Sequence, residues 1–176
     1  LNPRQGRSFL LHVADFVKMT LRFSGVLDFQ WGRASRMREK FRVAVIGHTG
    51  RGTYGHGLDT VWLDLPECEL LAVADADERG RGAAASRLKV QKAYADYRNM
   101  LDEVKPDIVS IGPRWADQHR DMVVEVARRG IHIYLEKPMC RSLREADEMI
   151  EACEKSGSKL AIAHQTRYSP LSLIHI

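Results

Sequence analysis

Apolar residues fall in short runs, separated by stretches with helical spacing. Phe41-Arg42-Val43-Ala44-Val45-Ile46 is apolar and β-branched and stops at Gly47, the pattern of a strand buried on both faces. A glycine-rich turn follows, then a helix-compatible stretch to about Leu65, where Pro66 breaks it. Glu69-Leu70-Leu71-Ala72-Val73-Ala74 predicts a second buried strand ending at Asp75. Residues 78–88, rich in Ala and Arg, predict a helix; a short strand is expected near 91–93 and a short helix over 96–104. Asp107-Ile108-Val109-Ser110-Ile111 predicts the next strand, stopped by Gly112-Pro113. Met122, Val123, Val126 and Ala127 lie at helical spacing within 117–129, and Gly130 closes that helix. Ile131-His132-Ile133-Tyr134-Leu135 reads as a strand. Residues 142–155 read as a helix opened by Ser142-x-x-Glu145, whose hydroxyl and carboxylate satisfy free backbone N–H groups, and Gly157 ends it. Residues 159–163 form a sixth strand. Strands alternating with helices imply parallel pairing and right-handed crossovers. The expected fold is therefore α/β, a doubly wound parallel sheet.

Composition leaves that picture standing. The 176 residues are 44% hydrophobic and 28% charged, which excludes wholesale disorder and fibrous repeats. No run approaches the ~18–20 apolar residues of a membrane-spanning helix. The net charge of +4 is local: six basic and two acidic residues within 1–36 carry all of it, leaving the rest neutral. The basic balance therefore names no nucleic-acid partner for the main body. Cys68, Cys140 and Cys153 have neither metal-ligand nor redox spacing. They read as free thiols in a reducing compartment, the cytoplasm, and no metal site is expected.

The two ends read as foreign to the fold. Residues 1–36 show no stable alternation, and Met37 opens a polar lead-in to the first strand. Residues 1–36 are expected to be non-native upstream sequence; a basic extension or weak targeting segment is the other reading. Leu171-Ser172-Leu173-Ile174-His175-Ile176 resembles a translated sequencing adapter, so 37–170 is the expected dinucleotide-binding domain.

The candidate chemistry starts at the first turn. Gly47-His48-Thr49-Gly50-Arg51-Gly52 lies between a strand and a helix-compatible stretch. A dinucleotide needs a tight turn there, close backbone approach to its pyrophosphate, and a helix N-terminus aimed at it. Against the G-x-G-x-x-G spacing, Gly47 and Gly52 fit, Thr49 stands in the second glycine position, and Gly50 comes one place late. Asp75, at the end of the second strand, lies near the ~20-residue offset of the acid that binds the adenosine ribose. A carboxylate there favours NAD over NADP, although Arg79 and Arg81 leave NADP open. Asp75 also reads as a helix N-cap, a role Asp77 fills equally well. His48 is a phosphate contact or a plain loop residue, and His56 reads as structural. His119 touches the cofactor site or packs and caps. Trp62 and Trp115 read as packing residues or cleft walls.

Glu136-Lys137-Pro138 follows the fifth strand directly. With the glycine loop, Asp75 and His164-Gln165-Thr166-Arg167-Tyr168-Ser169-Pro170, the chain resembles the Gfo/Idh/MocA family of sugar and cyclitol oxidoreductases. The resemblance implies a Rossmann-like domain binding NAD through Gly47, Thr49, Gly50, Arg51, Gly52 and Asp75. It implies that Pro113 lines the nicotinamide pocket, that Glu136 supports it, and that Gln165 and Arg167 help close the cleft. Lys137 is then catalytic, orienting the reacting carbinol and relaying its proton. The family's second α/β domain, which carries a catalytic histidine and most substrate contacts, is missing from this chain. The partner implied is a small sugar or polyol, and the full-length protein is implied to be a homo-oligomer. A fragment of this kind is expected to bind dinucleotide weakly and not to turn over. The rival readings are a non-catalytic dinucleotide-binding or sensing module, and a nucleic-acid binder using the basic N-terminus.

Overall fold

The apolar runs pair into one six-stranded parallel sheet in the order β3-β2-β1-β4-β5-β6. The strands are β1 (Phe41–Ile46), β2 (Cys68–Ala74), β3 (Lys92–Tyr94), β4 (Ile108–Ile111), β5 (His132–Leu135) and β6 (Leu160–Ile162). Four α-helices connect them: α1 (Glu78–Leu88), α2 (Tyr97–Val104), α3 (His119–Ala127) and α4 (Leu143–Ser156). The structure is a computed structural model, and it describes residues 16–17 and 40–164.

Both faces of the sheet are covered, so the central strands carry no polar alternation. Val43 and Val45 of β1 point to one side, where they meet Leu58, Val61, Trp62 and the α1 residues Ala84 and Leu88. Ala44 and Ile46 point to the other, where Met100, Leu101, Val123, Val126 and Met149 bring α2, α3 and α4 onto the sheet. Phe16 and Val17 are also buried, with the Phe16 ring 5.7 Å from that of Tyr134. Two residues of the segment expected to lie outside the domain thus pack on its core. The remainder of 1–36, Met37 and the 171–176 tail lie outside the described residues.

Two expectations are corrected. The stretch after the glycine turn is not an α-helix: residues 51–60 form successive turns, and only Val61–Asp64 coils, as a 3-10 turn. Gly50, Gly52, Thr53, Gly55 and Gly57 all have positive φ, which a right-handed helix does not admit. The capping of α4 is also offset. Ser142 Oγ accepts the Glu145 N–H as expected, but the Glu145 carboxylate reaches back to the Arg141 N–H at 2.9 Å rather than to Ser142. Elsewhere α1 covers 78–88 as read, with Asp77 as its N-cap, and Gly130 and Gly157 close their helices with φ of 72° and 74°. Gly130 donates to the Ala127 carbonyl in doing so.

Candidate active site at the carboxyl edge of the sheet

The chain leaves β1 toward β2 and β3, and from β4 it continues the other way to β5 and β6. The gap between the carboxyl ends of β1 and β4 is therefore the switch point where open α/β sheets bind ligands. The glycine loop, the segment after β4 and the turn after β5 all converge there.

Residues 48–53 close on themselves. His48 and Thr53 exchange both backbone hydrogen bonds, at 3.0 and 3.1 Å, and Arg51 N–H donates to the His48 carbonyl. Thr49 N–H and its hydroxyl both donate to the Asp75 carboxylate, at 3.0 and 2.8 Å to Oδ2. That leaves the Gly50 and Gly52 N–H groups with no acceptor among the described residues. A Cβ at Gly50 would meet open space, whereas one at Gly52 would strike Arg114.

Asp75 is 2% exposed and also accepts the Asp77 N–H at 3.0 Å. Its carboxylate therefore locks the glycine loop to the end of β2, and Asp77, not Asp75, caps α1 by accepting the Gly80 N–H. Arg81 Nη1 donates to the Asp75 carbonyl at 2.8 Å, and Arg79 stands exposed beside it.

Tyr54 was not singled out in the sequence, yet its ring lies where a Cβ on Gly47 would be. Burial, with the Asp75 carboxylate adding to it, pushes its phenol far above the ordinary range, so it stays neutral. The Arg87 guanidinium sits 5.2 Å over this ring and donates to the buried Asp59 at 2.6 Å, fixing the turns to α1. The Leu58 carbonyl accepts from Trp62 Nε1 and Ser110 Oγ, tying the same turns to β4. Trp62 is thus a core residue.

Four contacts stitch the glycine loop to the segment after β4. Arg51 pairs with Asp117 and lies 4.9 Å over the Trp115 ring, which is 56% exposed. His48 Nδ1 is 2.7 Å from Gln118 Oε1, and Gly52 abuts Arg114. Arg51 Nε is buried and has no acceptor among the described residues.

The Glu136 carboxylate, fully buried at the end of β5, collects the third element. It accepts the His56 N–H at 2.8 Å and the Lys137 N–H at 3.0 Å, and His56 Nδ1 lies 3.0 Å away. Gly55 has no room for a Cβ against this carboxylate and the Gly112 carbonyl. Lys137 itself is exposed, and its ammonium meets no partner among the described residues. Pro113 is buried after β4, and its carbonyl faces His119. Gln165 and Arg167 lie outside the described residues. Among the described residues no His, Cys, Asp and Glu cluster suits a metal ion. No helix there is long and apolar enough to cross a membrane.

Known proteins resemble this chain in sequence and fold. A D-apiose dehydrogenase of Paraburkholderia graminis is 30% identical over 75% of this chain and 34% of its own length. A D-xylose 1-dehydrogenase (NADP(+)) of Haloferax volcanii is 34% identical over 69% of this chain and 38% of its own. The crystal structure of an NAD binding oxidoreductase from Klebsiella pneumoniae superposes with a TM-score of 0.63 at 27% identity, covering 78% of this chain and 38% of that one. The chain spans between a third and two fifths of the length of these relatives. Residues 41–164 match the oxidoreductase family with an NAD-binding Rossmann fold, so by sequence and strand order this chain belongs to the Gfo/Idh/MocA family.

Proposed function

We propose that this domain holds NAD(H) at the β1–β4 switch point, for hydride exchange with a carbinol of a sugar or related polyol. The observation that carries the reading is the pair of unclaimed glycine N–H groups at Gly50 and Gly52, on a loop whose other backbone N–H groups, those of His48, Thr49, Arg51 and Thr53, all have acceptors. With the orphaned Arg51 Nε beside them, these donors fit a pyrophosphate. No α-helix opens in the turns directly after Gly52, so the anion is held by loop amides and a guanidinium, without a helix dipole behind them. Asp75 holds the loop at the proposed ribose end, which favours NAD; Arg79 and Arg81 are the groups a 2′-phosphate would meet.

The bound nicotinamide supplies the hydride chemistry. Lys137 takes or returns the hydroxyl proton at Nζ, while Glu136 fixes the turn that carries it. An exposed lysine without a structural partner suits a catalytic role better than a purely structural one, and this favours an enzyme over a sensing module. Pro113, Gln165 and Arg167 are proposed to border the cofactor, with Trp115 as a cleft wall. We place the protein in the cytoplasm, associating with copies of itself.

Calorimetric titration of the chain with NAD+ and NADP+ tests the reading. NAD+ should bind, and more tightly than NADP+ by ~10-fold or more, the scale of one charge-assisted hydrogen bond. Absence of heat with both coenzymes would refute the proposal, and a preference for NADP+ would refute the role given to Asp75.

A further inference from the structure

One side chain joins the turns after β4 and β5. His119, the first residue of α3, is fully buried. Its Nε2 lies 2.6 Å from the Pro113 carbonyl, and its Nδ1 lies 2.9 Å from the Pro138 carbonyl and 3.2 Å from that of Met139. All three partners only accept, so a singly protonated ring donates either to the Pro113 side or to the Pro138–Met139 side, and only a ring protonated at both nitrogens donates to both at once. Pro113 and Pro138 have no N–H of their own, so neither proline can anchor its turn as a donor. The imidazole spans the two turns, one carrying Pro113 and the other Lys137, and its enclosure leaves no surface for a ligand.

We propose that His119 is a positioning residue: it sets the distance between the Pro113 turn and the Lys137-Pro138 turn, and so shapes the seat of the nicotinamide ring without touching the cofactor. This rests on the proposed function and, of the two sequence readings of His119, takes the packing role over direct contact with the cofactor. Glu136 secures Lys137 from its own backbone side, through the Lys137 N–H. His119 secures it from the far side, through the carbonyls of the next two residues.

The test compares NAD+ with ADP-ribose, which lacks only the nicotinamide, by calorimetry on the wild-type chain and two variants. Wild type should bind NAD+ more tightly than ADP-ribose. His119→Phe keeps a ring but has no donor. It should weaken NAD+ by ~10-fold and leave ADP-ribose within ~2-fold, because only the nicotinamide end depends on the bridge. His119→Gln keeps a donor near Nε2 and should lose ~3-fold, for NAD+ alone. If His119→Phe does not fold, His119→Gln decides the matter by itself. Equal weakening of both ligands would reduce His119 to a packing residue and overturn the inference. Unchanged binding of NAD+ would do the same, as would a wild-type chain that binds the two ligands equally. Failure of wild type to bind either ligand overturns the proposed function itself, and this inference with it.

Discussion

Gly47 is constrained by one neighbour. Its φ is not in the left-handed region, so the demand for glycine comes from the Tyr54 ring alone. Gly47→Ala should cost about 1–3 kcal/mol by overpacking, measured by urea denaturation. In a Tyr54→Ala background the same change should cost at least ~1 kcal/mol less, because the two side chains then no longer collide. Strict additivity in this double-mutant cycle would show that the clash is relieved elsewhere. The turn glycine was legible as a glycine, but the reason for it was not. Periodicity and spacing report local geometry, whereas the ring that fills this space comes from seven residues along a turn whose path no local rule specifies. Asp75 shows the same limit. Its position at a strand end was readable, but two of its three internal donors depend on how Thr49 folds back.

At the scale of elements, strands and helices with a periodic core face emerged where the sequence placed them, since burial on one or both faces writes itself into residue type. The segment between β1 and β2 did not, because its apolar residues Leu58, Val61 and Trp62 are as well buried from turns as from a helix. Four glycines between 50 and 57 were the available sign. The junction of β5 and β6 carries a pH-dependent element of stability. His132, in β5, accepts the Lys159 N–H at Nδ1, at 3.1 Å. Burial, reinforced by the Lys159 charge and opposed by Asp107, lowers its pKa. The folded state thus resists protonation, and the unfolded chain takes up the proton first. Stability should be full above about pH 6.5, the ordinary histidine value, and fall as pH drops below it. His132→Asn keeps an acceptor near Nδ1 and removes the titration. Denaturation midpoints between pH 7.5 and 5, expressed as the difference between wild type and this variant, should therefore shrink on acidification. A pH-independent difference would remove His132 from the account.

Over the whole molecule the two apolar layers on either side of the sheet, and the site on its edge, belong to one folded unit, so events at the site should be readable deep in the core. The three free thiols provide the probe. Cys140 is half-exposed, whereas Cys68 and Cys153 are buried in opposite layers. Burial, with Glu67 adding to it, pushes the Cys68 thiol up to about 12, and burial also raises Cys153. Neither forms a useful thiolate at pH 8 in the folded state, so each should react only when the domain opens. Native labelling should then show one fast thiol, Cys140, and two slow ones whose rates track the population of the open form. A ligand that binds only the folded state reduces that population in proportion to its saturation. At ~100 times its dissociation constant NAD+ should add ~2.7 kcal/mol and slow Cys68 and Cys153 alike by ~100-fold. Cys140 should keep its rate. Slowing confined to one of the buried thiols would mean that the two layers open separately, and that cofactor binding braces one face of the sheet instead of the whole domain.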